Sequence, residues 1–200
     1  LENQYISQGY YNADIEVKQT ELDGNRVKLD INFVEGKPAR VVDINIIGNT
    51  HFSDEELKDE FVVKDKKWNP LSKADRYSQE KLNASLENVK AKYLNDGFVR
   101  VSVDNATLNI DDEKQKVFIE TTINEGQQYK FGDIQFLGNT TYPTDELNEL
   151  VKFKQGNTYS QKELDETTAE ISNKFSDDGY YYAQIRPVPR IDDEALTVGV

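Results

Sequence analysis

Between Ser78 and Gly126 the apolar positions change period once. Leu82, Leu86, Val89 and Tyr93 recur at helical steps, with Glu80, Asn83, Glu87 and Lys90 between them. That spacing predicts an amphipathic helix with one buried face, opened by Ser78 as N-cap. Gly97 follows Asn95-Asp96, where a helix end needs a residue that tolerates positive φ. Beyond it the period drops to two. Val99, Val101 and Val103 alternate with Arg100 and Ser102, and Asp111-Asp112-Glu113-Lys114 reads as a turn. Val117, Ile119, Thr121 and Ile123 then alternate again before Glu125-Gly126. The stretch predicts a helix, a glycine joint and a β-hairpin.

The same order occurs three times. Gly9-Tyr10-Tyr11, Gly97-Phe98-Val99 and Gly179-Tyr180-Tyr181 are one kind of joint. Glu35-Gly36 matches Glu125-Gly126, and Ile44 to Thr50 matches Ile134 to Thr140. Leu82, Val89 and Tyr93 map forward onto Leu164, Ile171 and Phe175, while Val89 and Tyr93 map back onto Leu1 and Tyr5. Landmarks that agree on one period, here about 90 residues, are the mark of tandem repeats. The predicted division is 1–36, the C-terminal part of a repeat; 39–126, a complete repeat; and 129–200, a repeat truncated in its last strand. Leu1 falls inside a helical pattern, so the chain is expected to be a cut fragment.

The first repeat is expected to run from the end of a helix into a strand from Tyr11 to Gln19, with Ala13, Ile15 and Val17 inward. A turn at Leu22-Asp23-Gly24-Asn25 follows. The next strand, Arg26 to Val34, should bury Val27, Leu29, Ile31 and Phe33 and wet Arg26, Lys28, Asp30 and Asn32. The second repeat opens with a strand from Val41 to Ile47 and a short helix in which Ser53 and Glu56 form a capping box. An irregular segment from Val62 to Tyr77, holding Trp68, precedes the long helix. The third repeats the plan: a strand from Phe131 to Leu137, a short helix around Leu147, and a long one capped by Ser160. A strand from Tyr181 to Arg190 broken by Pro187 and Pro189 follows, and a last strand starts at Leu196. The predicted class is α+β: tandem β-α-α-β-β repeats, each a three-stranded mixed sheet covered by two helices. Counting directions makes the third strand parallel to the first and antiparallel to the second. The third is then central and the second an edge, where proline is tolerated.

That edge has a phase break. Its apolar residues are Val99, Val101 and Val103, then Ala106, Leu108 and Ile110. A regular strand cannot turn both sets to one face, so a β-bulge is expected near Asp104-Asn105. Deletion of Asn105 is then expected to throw the second half out of register. An open edge offers backbone donors and acceptors to an extended partner of any sequence. The candidate partner-binding residues are Val99, Arg100, Val101, Ser102, Val103, Asp104, Asn105, Ala106 and Thr107. The rival reading is a passive rigid spacer.

Composition narrows the rest. A formal charge of −13 in 200 residues disfavours non-specific nucleic-acid binding. There is no cysteine, so neither a disulfide framework nor thiolate chemistry is available, which suits an oxidising compartment without fixing one. No apolar run is long enough to span a membrane. His51, the one histidine, has no companion ligand and reads as a solvated loop residue. Asp111-Asp112-Glu113 and Asp192-Asp193-Glu194 lack calcium-loop spacing and read as solvated turns. Ser72, Ser78 and Ser160 have no base in a catalytic motif, and no glycine-rich phosphate loop occurs. No enzyme, metal or cofactor is expected. Tyr10, Tyr11, Tyr180, Tyr181 and Tyr182 are either a peptide-stacking surface or, the favoured reading, locks of the joints. Trp68 is either part of a satellite core or an exposed partner anchor.

The repeat order, the Gly-Asn pairs at Gly48-Asn49 and Gly138-Asn139, the Gly-Tyr and Gly-Phe joints and the Glu-Gly endings together resemble POTRA repeats of the Omp85 family. The resemblance covers essentially the whole chain. It implies a periplasmic scaffold upstream of an outer-membrane barrel, with unfolded outer-membrane proteins and accessory lipoproteins as partners. Repeats of another Omp85-type transporter are the alternative.

Overall fold

The computed structural model describes residues 2–24, 26–65, 73–139 and 141–200. In chain order the elements are α1 (Glu2–Ser7), β1 (Asp14–Leu22), β2 (Arg26–Val34), β3 (Arg40–Ile47), α2 (Asp54–Glu60), α3 (Gln79–Asn95), β4 (Ser102–Val103), β5 (Thr107–Ile110) and β6 (Lys116–Asn124). Then come β7 (Lys130–Phe131), α4 (Thr144–Asn148), α5 (Gln161–Asp177), β8 (Arg190–Asp192) and β9 (Thr197–Gly199). They form two compact units, 1–89 with 103–123, and 90–102 with 124–200. Trp68 lies outside the described residues.

The first unit holds two sheets. β1 and β2 pair antiparallel, with Ile15 opposite Phe33 and Val17 opposite Ile31. The face of this hairpin that was expected to be buried is open: Val27, Leu29, Ile31 and Phe33 are all exposed. Alternation shows which residues share a face, but a covering layer has to come from elsewhere. Among the described residues the ring of Tyr5, 6.3 Å from that of Phe33, is the aromatic cover.

The second sheet has the predicted topology. β6 lies centrally, parallel to β3 on one side and antiparallel to β5 on the other, with β4 on the same side as β5. Val117, Ile119, Thr121 and Ile123 are buried on one face of β6, with exposed neighbours between them. Leu57 of α2 and Leu82 and Val89 of α3 are buried as their helical spacing requires. Ser53 caps α2, its hydroxyl accepting from the Glu56 N–H while Glu56 accepts from the Ser53 N–H, a complete capping box. Ser85, fully buried, donates its hydroxyl to the Lys81 carbonyl and accepts the Val62 N–H at 2.9 Å. Thr167 does the same in the second unit, donating to the Glu163 carbonyl and accepting from Lys152. These paired buried hydroxyls satisfy loop N–H groups that would otherwise lack a partner.

In the second unit β9 lies between β7, parallel, and β8, antiparallel. Phe131 is stacked on Phe153 at 3.8 Å in a core with Tyr129, Tyr159, Leu164 and Val198. A second cluster joins Leu147, Ile171 and Phe175. β7 shares only Phe131 with the strand predicted from Phe131 to Leu137, and β8 shares only Arg190 with the one predicted from Tyr181 to Arg190. The last pairing bonds of the 131–137 segment join Asp133 and Gln135 to Val200. Pro187 and Pro189 cannot donate to a ladder.

Candidate functional site

Two structural features frame the candidate edge: the glycine joints and the open side of β5. At each joint the residue after the glycine donates back to the carbonyl five residues earlier: Tyr10 to Tyr5, Phe98 to Tyr93 and Tyr180 to Phe175. This is a Schellman closure, and Gly9, Gly97 and Gly179 sit at φ +83°, +86° and +91°. The first two glycine carbonyls accept a further bond, from Ala39 N–H and Tyr129 N–H, each at 2.8 Å. Ala39 and Tyr129 in turn accept from Tyr77 and Tyr159. The repeated plan also explains the Glu-Gly endings. Tyr93 donates to Glu125 at 2.7 Å, and Tyr5 to Glu35 at 3.3 Å. Burial of Tyr93 and its bond to Glu125 raise the phenol pKa well above the usual range.

The tyrosines of the joints divide between the two readings. Tyr11 lies 6.0 Å from Tyr77 ring to ring, and Tyr10 is edge-on to Tyr5. Tyr180 packs edge-on against Phe175, whereas Tyr181 and Tyr182 are exposed. The turn read as a solvated acidic cluster is exposed, and Asp193 within it also has side-chain partners. Its carboxylate accepts a two-pronged bond from Arg100, at 3.1 and 2.9 Å, and the hydroxyl proton of Tyr129. Arg100 and then Tyr129 hold the Asp193 pKa below the ordinary carboxylate value. A depressed pKa stabilises the fold above the unfolded value and loses that contribution as pH falls through the folded one. An Asp193→Asn chain is therefore expected to melt lower than the parent at pH 6, with the gap closing below about pH 4. Melting curves at both pH values check this, and a gap that persists in acid would contradict it.

The nine candidate residues divide. Val99 and Arg100 lie in a turn rather than a strand, closed by bonds from Val99 N–H to Gly97 and Val101 N–H to Phe98. Val99 packs on the second unit's core, and Val101 is buried. The strand begins only at Ser102, as β1 begins five residues after Gly9. Asp104, Asn105 and Thr107 are exposed, while Val103, Ala106 and Leu108 are half-buried. The apolar residues on both sides of the break thus face inward. The pairing shows why. Asp104 N–H donates to the Thr122 carbonyl, and Thr107 stands opposite Glu120. One strand advances three residues while the other advances two, which is a one-residue bulge. Removing the extra residue would keep both halves in register, so the expected loss of register on deleting Asn105 is reversed by this geometry. Among the described residues β5 is paired on one side only, by β6.

These features describe small α+β modules whose outer strands, β5 among them, pair with another strand on one side only among the described residues. The POTRA family model, described as "Surface antigen variable number repeat", matches residues 39–126 and 129–200. The chain belongs to the POTRA family. It is 30% identical over 200 residues to the outer membrane protein assembly factor BamA of Neisseria meningitidis, across 99% of this chain and 25% of that protein. It is 27% identical to the BamA of Buchnera aphidicola, across 98% of this chain and 32% of that protein. The chain thus spans a quarter to a third of the length of these relatives. Among solved structures, Haemophilus influenzae BamA POTRA3-5 superposes with a TM-score of 0.63 at 19% identity, covering 98% of this chain and 73% of that one. BamA of Haemophilus ducreyi lacking POTRA domains 1-3 gives 0.62 at 17% identity, over 80% and 28%. At those identities the likeness is one of fold. No helix among the described residues is long and apolar enough to cross a membrane.

Proposed function

We propose that this chain is a periplasmic scaffold segment of an outer-membrane protein assembly machine, made of repeats at 1–36, 39–126 and 129–200. It binds unfolded β-barrel clients and accessory lipoproteins by β-augmentation at an edge strand. The observation that carries this reading is the single-sided pairing of β5. An unpaired edge gives main-chain hydrogen bonds to an added strand whatever its sequence, as a module serving many clients requires. Family membership and the names of the relatives support the assembly role. The contact runs along Val103 to Ile110, with Asp104 and Asn105 projecting at the bulge. Arg100, held by Asp193, acts in the joint. The rival reading, a passive spacer, is supported by the hydrogen-bonded joints.

Titrating the isotopically labelled chain with an extended segment of an outer-membrane β-strand separates the two. Amide shifts confined to Val103 to Ile110 are expected. Absence of shifts anywhere along this edge would leave the spacer.

A further inference from the structure

Asn12 stands three residues after Gly9, as Arg100 stands three after Gly97. Each reaches a hairpin turn far along the chain, and each contact lies within one compact unit. The Asn12 side-chain amide donates to the Glu113 carbonyl at 2.9 Å. The Arg100 guanidinium donates twice to the Asp193 carboxylate. The glycine of each Glu-Gly ending is the seat for this arm. Gly36 and Gly126 both stand at φ +72°, and a Cβ on either would come within 3.3 Å of the Cβ of Asn12 or Arg100. The Glu-Gly pair therefore has two tasks. Its acid accepts from a helix tyrosine, and its glycine leaves room for the arm.

The two arms differ in chemistry. The first bond joins a neutral amide to a neutral carbonyl, so ionic strength has little hold on it. The second joins full charges whose side chains are 52% and 60% exposed. Water and salt reach that pair and screen it. Tyr129 extends the second contact, because its hydroxyl donates to Asp193 while its N–H donates to the Gly97 carbonyl. One residue thus ties the turn to the joint on two sides. At the first joint Ala39 N–H makes the equivalent bond to the Gly9 carbonyl, but alanine has no side-chain donor with which to reach the turn.

We propose that arm and turn form a latch at both joints, and that the two latches respond differently to ions: rising salt releases Arg100 from Asp193 and loosens the joint at Gly97, while the Asn12 latch at Gly9 stays closed. The first joint is then fixed at any ionic strength, and the second is adjustable. Release frees one of the two attachments of Tyr129, so its bond to Gly97 opens more often.

The test is amide hydrogen exchange on the full chain in about 0.05 M and about 1 M sodium chloride, where the Debye length falls from over ~10 Å to ~3 Å. Exchange at Tyr129 N–H should quicken by about two- to fivefold in high salt, the range of an exposed ion pair. Exchange at Ala39 N–H, the internal control, should not change. Asp193→Asn should quicken Tyr129 exchange at both salt concentrations and abolish its salt dependence. Asn12→Ala should quicken Ala39 exchange equally at both. Tyr129 and Ala39 responding alike to salt in the parent chain would overturn the proposal. So would a salt dependence at Tyr129 that survives Asp193→Asn, because the screened charge would then lie elsewhere.

Discussion

The Gly97→Val chain is expected to lose about 3 kcal/mol or more from its second unit, through strain and a backbone collision. At φ +86° a β-branched residue is strained by about 1–3 kcal/mol by itself. The added Cβ would also stand 2.7 Å from the Tyr129 carbonyl oxygen and 3.0 Å from Gln128 and Thr158. That oxygen cannot simply withdraw, because it accepts the Tyr159 N–H while Tyr129 N–H donates to Gly97. Relief of the collision means breaking one of two buried bonds. Gly179 is the internal control: its φ is +91° but nothing lies within 4 Å of a Cβ there. Gly179→Val should show the strain alone. Thermal melts of both variants separate strain from collision. Equal shifts would mean that the joint yields, and an unchanged Gly97→Val curve would remove the joint as a stabilising contact.

Deletion of Asn105 should change assembly far more than stability. Without the extra residue, Asp104 still meets Thr122 and Thr107 still meets Glu120, and Val103, Ala106 and Leu108 keep one face by simple alternation. β4 and β5 would then merge into one strand from Ser102 to Ile110. A bulge interrupts an open edge and limits uncontrolled pairing, so its removal should promote self-association. Sedimentation of the deletion chain should reveal oligomers that the parent lacks, with a melting curve close to the parent's. A monomer with a collapsed melting temperature would place the bulge elsewhere.

Local chemistry made most of the framework legible. Positive φ at Gly9, Gly97 and Gly179, the Ser53–Glu56 box and the central place of β6 follow from residue type, period and chain direction, all of which act over a few residues or by topology. The phase break at Asp104-Asn105 was also readable, because side-chain alternation has no freedom of phase. What a bulge does to a deletion was not: its sign depends on which residues oppose each other across β6. Only the tertiary structure assigned the long-range partners. Tyr93 reaches Glu125, Arg100 reaches Asp193, and Ile6 comes to share a groove with Ile110. Each residue had a bland local reading, as helix face, strand exterior or acidic turn, that was consistent with its neighbours. Pairings between residues far apart in the chain are chosen by how whole elements pack, and no local period encodes them. The sequence thus determined the order and kind of elements and which strand lies at the edge, and packing decided what lines it.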